Sequence, residues 1–236
     1  MKKLILTLAV VLAAALCAVP FGAGCNGNGG SDDAGQDAAD GADGGDQGGG
    51  DTSSPHFGAV IFNEVLTDGT TNEDANGDGT IDAMEDEFVE LVNVSGSAVD
   101  MTGWTLSEKD WDIHLPRHTF AAGTTPSPNV AIVIFGGGDP PDSTASILYS
   151  ASNARDPGIP YGLDLDDAGD KMVLLDSNGL FVDEFTYGDQ GGTPTASDES
   201  LTRDPDLTGT FTPHTQATNA SGAILSPGTK VDGSAF

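Results

Sequence analysis

Basic residues are scarce in this chain of 236 residues: 8 Lys and Arg stand against 37 Asp and Glu, a formal charge of −29. Polyanions are bound by cations that displace condensed counterions, so this balance excludes nucleic acid as a partner and disfavours attraction to anionic headgroups. Cysteine is nearly missing as well, with Cys17 and Cys25 alone. No Cys pair offers a zinc site, and neither HExxH nor GxSxG nor a phosphate-cradling Gly-rich loop followed by Lys occurs. The histidines are His56, His114, His118 and His214; the first close pair lies in HLPRH, which Pro116 keeps out of a regular helix. Acidic pairs carry no signal for glycoside hydrolysis in a chain with 37 carboxylates. These absences lead to the expectation that the protein is not an enzyme.

What is present begins with an export signal. Lys2 and Lys3 precede the apolar run LILTLAVVLAAALCAV, followed by Pro20 and the small residues of FGAGC. The run is short for about 30 Å of hydrocarbon and lacks a basic stop-transfer cluster, which argues against a retained membrane helix. Gly22-Ala23-Gly24-Cys25 resembles a bacterial lipobox, departing from it at Gly22, where an aliphatic residue is usual. Lipidation at Cys25 after removal of residues 1–24 is the expectation, with plain cleavage and secretion as the alternative. Asn26 follows the cysteine, which resembles outer-membrane rather than inner-membrane sorting. The lipid anchor would be the protein's contact with the membrane.

Residues 25–56 read as a tether. The stretch NGNGGSDDAGQDAADGADGGDQGGGDTSSP holds ten glycines and seven aspartates and nothing more apolar than alanine. Such a segment cannot offset the entropy of ordering, and its r.m.s. reach is about 30 Å or more. Structure is expected over residues 57–236. There VIFNEVL, EFVELVNV, GWTL, NVAIVIF, KMVLLD and LFVDEFTY are short runs with a period of two, separated by Gly, Asp, Asn, Ser and Pro. No stretch after the leader offers three clean helical turns. The pattern predicts an all-β, antiparallel sandwich.

The same residues carry a family likeness. VIFNEVLTD, DEFVELVNVSGSAVDMTGWTLSE, HTFAAGT, NVAIVIFGG, LDDAGDKMVLLDSNGLFVDEFTYG and LSPG resemble the lamin-tail domain in its bacterial, secreted form, over most of residues 58–230. The resemblance implies an immunoglobulin-like β-sandwich with Trp104 in its core, surrounded by Val89, Leu91, Leu106, Ile132, Ile134, Val173, Leu175 and Phe185. It also implies a surface or adhesive module without a catalytic centre. Asn178-Gly179 is expected to supply the positive φ angles of a tight hairpin turn. Two segments depart from the minimal pattern, the acidic stretch DANGDGTIDAMEDEF and residues 138–162, where Ile147, Leu148 and Tyr149 are expected to be exposed in a long loop.

The acidic stretch has the spacing of an EF-hand-type calcium loop. Asp74, Asn76, Asp78, the carbonyl of Thr80, Asp82 and Glu85 fall at its first, third, fifth, seventh, ninth and twelfth positions, with Gly79 at the sixth and Ile81 at the eighth. Hard oxygens in this order suit Ca²⁺, the one cofactor expected. Strand-like segments flank the loop in place of helices, so a fixed surface loop is expected rather than a helix-opening switch. The alternative is a solvated acidic turn. Asp164, Asp166, Asp167 and Asp170 form a second acidic cluster, without the closing glutamate, whose affinity for calcium stays open. Together these readings predict a calcium-stabilised, anchored binding or adhesion module of the bacterial envelope, meeting a protein or polysaccharide at the cell surface. The alternatives are an envelope-structural protein assembled through calcium, and a metal-dependent hydrolase or its accessory domain.

Overall fold

The structure, a computed structural model, describes residues 54–67, 73–110, 113–152 and 162–236. The expected leader (1–24), Cys25 and all but the end of the expected tether (25–56) lie outside the described residues. Ten strands make two sheets. In chain order they are β1 (Val60–Leu66), β2 (Phe88–Asn93), β3 (Thr105–Asp110), β4 (Ile113–Thr119), β5 (Ala131–Phe135), β6 (Ile147–Ser150), β7 (Lys171–Leu175), β8 (Phe181–Thr186), β9 (Leu201–Asp204) and β10 (Thr210–Pro213). One sheet has the order β10-β9-β1-β2-β5-β6 and the other β4-β3-β7-β8. All pairs are antiparallel except β5 with β6, which run parallel. The fold is an immunoglobulin-like β-sandwich, as the period of two predicts. No helix among the described residues is long and apolar enough to cross a membrane.

Alternation puts one face of each strand into the space between the sheets. Val60, Phe62 and Val65 of β1, Val89 and Leu91 of β2, and Ile132 and Ile134 of β5 meet Trp104, Leu106 and Phe185 there. Each fully buried side chain of this size is worth roughly 1.5–3 kcal/mol. On β7 the sequence expectation has the wrong phase. Met172 and Leu174 join this core, whereas Val173 and Leu175 are buried outside it. KMVLL is apolar at four successive positions, so its inward face is set by pairing of Leu174 with Leu106 rather than by alternation.

Two other expectations change. Ile147, Leu148 and Tyr149 are half-buried in β6, where Ile147 and Tyr149 pack against the main core and Leu148 against a second cluster. Parallel pairing with β5 supplies the main-chain partners that an exposed loop would lack. In the β7 to β8 turn Gly179 has φ 74°, whereas Asn178 is not in the positive-φ region. The Asp176 carboxylate instead accepts from the N–H groups of Asn178 and Leu180, holding the turn with one left-handed residue.

The outer face of the larger sheet is not left to solvent. Leu66, Phe88, Val133 and Phe135 form the second apolar cluster, joined by Ala75 from the acidic stretch, Leu148 from β6 and Leu225 from the C-terminal chain. All six residues of β2 and all five of β5 are therefore buried. A bulge between Phe62 and Glu64 inserts Asn63, which turns Glu64 onto this outer face beside Glu90. The chain after β10 lies over both glutamates, its Ser226 and Gly228 bonded to them.

Candidate metal site

Residues 74–85 join β1 to β2, so the calcium-type spacing sits between two strands of the larger sheet. Glycines at 77 and 79 take positive φ angles, 74° and 93°, and let the chain wrap tightly. Asp74 receives the N–H of Asp78 at 3.1 Å and that of Gly79 at 2.8 Å. Asn76 Oδ1 also accepts the Asp78 N–H, at 2.9 Å, and Asp78 Oδ1 accepts that of Thr80 at 2.8 Å. Asp74, Asn76 and Asp78 are thereby gathered at one turn. Asp82 caps the following bend, accepting from the N–H groups of Met84 and Glu85. Thr80, Asp82 and Glu85 are exposed.

Asp86 was not legible as part of this site. Fully buried, it accepts from the Asn76 N–H at 3.1 Å and from the Asp82 N–H at 2.8 Å, tying the start of the wrap to its end. A second missed element is the glycine run that follows β5. A Cβ on Gly137 would stand 2.8 Å from Glu85 Cγ, and one on Gly138 would stand 2.3 Å from Asn76 Nδ2. The loop lies in a cradle that only glycine leaves open, and Asn76 Nδ2 donates to the Gly137 carbonyl at 3.4 Å. Three consecutive glycines after a strand were a readable sign of close backbone approach.

Burial and then the charges of Asp82, Asp78 and Asp86 raise the pKa of Glu85, so the acids of this loop are electrostatically in contact. Among the described residues no group of three His, Cys, Asp or Glu side chains is arranged as a metal cage. Carboxylates, a carboxamide and a carbonyl in this order nevertheless fit a hard dication by donor chemistry, and the glycine cradle leaves room for their side chains. Those two features are the fit that the structure offers.

The second acidic cluster is divided among other tasks. Asp164 pairs with Arg117 at 3.0 Å, and Arg117 also binds Glu108. Asp166 caps its own turn through the Ala168 N–H, while its carbonyl accepts from the Tyr187 hydroxyl. Asp170 is buried, its Oδ2 without a hydrogen-bond partner among the described residues, and burial raises its pKa to about 6. Asp164, Asp166 and Asp167 line a cleft of ≈ 330 Å³ together with Met84 and Glu87, next to the calcium-type loop. Burial holds the Glu87 carboxyl up at about 9, against the opposing hydrogen bond from Leu165 N–H.

The immunoglobulin-like sandwich defines the class of protein, and the acidic wrap between its first two strands is an addition to it. The sequence matches the Lamin Tail Domain family over residues 53–189, more than half of the chain, and the protein belongs to that family. No curated protein matches the sequence. The matched region ends before β9, although the fold continues through β9, β10 and the chain that covers the outer sheet face.

Proposed function

We propose that this lamin-tail domain is a calcium-stabilised, non-catalytic binding module held at the surface of the bacterial cell envelope by a lipid on Cys25. The observation that supports calcium is the loop itself. Asp74, Asn76, Asp78, the Thr80 carbonyl, Asp82 and Glu85 occupy one continuous wrap, braced by buried Asp86 and cradled by glycine. A dication there would neutralise acids that otherwise repel one another and would fix the junction between β1 and β2. Affinity of about 10⁻⁴–10⁻³ M is usual for extracellular modules and suits an exported protein. The leader and GAGC support the anchor, and the Gly/Asp tether would lift the sandwich from the lipid surface.

Calorimetric titration of the mature protein with calcium tests the loop: one site lost in Glu85→Gln supports it, and no heat above dilution refutes it. Palmitate labelling of cells tests the address separately. Label in the wild type and none in Cys25→Ser is the expected result; equal label in both removes the anchor.

A further inference from the structure

The bulge at Asn63 makes Glu64 of β1 the direct cross-strand partner of Glu90 of β2, and neither has any solvent exposure. Like charges directly opposite one another destabilise a sheet, and buried charges without counter-charge cost far more. The C-terminal chain supplies most of their partners. Glu64 Oε1 accepts from Ser200 Oγ at 2.6 Å and from the Ser226 N–H at 2.8 Å, while Oε2 accepts from Ser226 Oγ at 2.6 Å. Glu90 Oε1 accepts from Asn63 Nδ2 at 2.9 Å, and Oε2 from the Gly228 N–H at 2.7 Å.

His214 completes the cluster, also without exposure and 4.0 Å from Glu64 Oε1. Its Nδ1 is 2.8 Å from the Ala223 carbonyl. A carbonyl can only accept, so Nδ1 carries a hydrogen. Nε2 lies 3.0 Å from Ser226 Oγ. The single Ser226 hydroxyl proton therefore sits between two groups, each of which accepts when deprotonated. Both contacts are hydrogen bonds only when one further proton resides on the line from His214 through Ser226 to Glu64. It is either on Nε2 with Glu64 ionised or on Oε2 with the imidazole neutral. Either arrangement is neutral overall. Removing that proton breaks one contact and leaves an uncompensated anion buried opposite Glu90.

We propose that residues 214–231 form a proton-locked strap over the outer face of the larger sheet, closed while the His214, Ser226 and Glu64 line holds its proton and released when it is lost. Release uncovers the apolar patch of Leu66, Phe88, Val133 and Phe135, which Leu225 helps to cover. The other charged groups facing the line are Glu90 from β2 and Asp206 from the β9 to β10 turn, with Lys230 and Asp232 beyond Asp206. Burial, above all, raises the Glu64 carboxyl, against the pull of His214 and the serine hydrogen bonds; burial and then Glu64 raise Glu90 well above the ordinary carboxylate range. Both shifts are upward, so this contribution to closure is full below the ordinary carboxylate range. It is lost as pH rises through the raised values.

Hydrogen exchange of the mature protein, read peptide by peptide from about pH 5 to about pH 9.5 and corrected for intrinsic rates, tests the strap. Peptides within residues 214–231 are expected to open about tenfold more for each pH unit above the titration, as release of one proton requires, while β3 and β7 keep their protection. Glu64→Gln can accept through Oε1 and donate through Nε2 to Ser226, reproducing the neutral arrangement without a titrating proton on the line, so the pH response of its strap falls to what buried Glu90 alone contributes. Flat exchange in the wild type overturns the proposal, as does joint opening of strap and core or a wild-type pH response in Glu64→Gln. If that variant fails to fold, carboxyl-carbon and imidazole NMR of the wild type decides. Glu64 and Glu90 both ionised beside a neutral His214 at about pH 7, with the strap closed, overturns it too; a retained proton supports it.

Discussion

Carboxylates meet opposite fates in two regions of the larger sheet. At its edge in sequence, residues 74–85 collect acids at the surface, where backbone N–H groups of the same loop cap them and Glu85 stays exposed. On its outer face, Glu64 and Glu90 are fully buried and take most of their partners from chain more than 130 residues away. On the proposed function, the surface acids await a dication. The buried pair tolerates charge only with His214 and a proton. On the two proposals made above, the same functional group stabilises through metal in one place and through protons in the other, and the two regions should respond to solution conditions with opposite sign.

The largest way to break this contrast is Glu64→Ala. It leaves the Ser200 and Ser226 hydroxyls and the Ser226 N–H without their acceptor, and His214 without the carboxylate 4.0 Å away, in a buried site. A loss of roughly 3–5 kcal/mol is expected by denaturant unfolding, because removing one member of a buried polar cluster strands the others. Calcium should not restore it. A loss under 1 kcal/mol would show that water replaces the carboxylate at little cost.

Gly137→Ala probes the other region. Its Cβ would lie 2.8 Å from Glu85 Cγ, so the methyl group must push Glu85 out of its cradle. Stability without metal should fall by about 1–3 kcal/mol, and the calcium response should shrink with it. Calorimetric titration beside melting separates the two effects.

Acidity sharpens the comparison more gently. Burial lowers His118 to about 4, against the opposing pull of the Ser150 backbone, and its ring lies between those of Phe120 and Tyr149. Its folded pKa is depressed, so its contribution is present above about 6.5 and lost as pH falls toward about 4. Asp170, raised to about 6, acts the other way, stabilising below its ordinary value and losing that contribution as pH rises through 6. Melting across this range should be steeper on the acid side in wild type than in His118→Phe. An identical profile in the two would remove His118 from the account. The smallest effect belongs to Asp167→Asn, exposed in the second acidic cluster, which should stay within about 0.5 kcal/mol of wild type and retain its calcium response.

Local rules made the sandwich legible and marked residues 74–85 as a candidate metal loop. Alternation in VIFNEVL, EFVELVN and NVAIVIF identified β1, β2 and β5, and the order of oxygens in DANGDGTIDAME marked the wrap. Long-range contacts were not legible. In EFVELVN, Glu90 alternates with Val89 and Leu91 and so reads as solvent-facing; only the return of Gly228, 138 residues later, shows that this face is roofed. The sign that could have been read was the presence of NE, VEL and SPG together, whose polar atoms form one cluster. Residues 138–162 hid β6 for a related reason, since ILYS gains its partner from a parallel pairing across a long connection. Asp86 escaped notice because the calcium spacing ends at Glu85, whereas its role is to brace the wrap from behind.

The direct test of the calcium account is calorimetric melting of wild type and Glu85→Gln, each in EGTA and in millimolar calcium. Binding to the folded state alone adds RT ln(1 + [L]/Kd), about 2.7 kcal/mol at one hundred times Kd, which for a domain of this size is a rise of several degrees. Wild type should show that rise, and it should fade on acidification as the ligating carboxylates protonate. Glu85→Gln should show little of it, having lost a negative charge and bidentate capacity. Equal shifts in the two proteins, or none in wild type, would contradict a calcium site at residues 74–85 and return the stretch to an acidic turn.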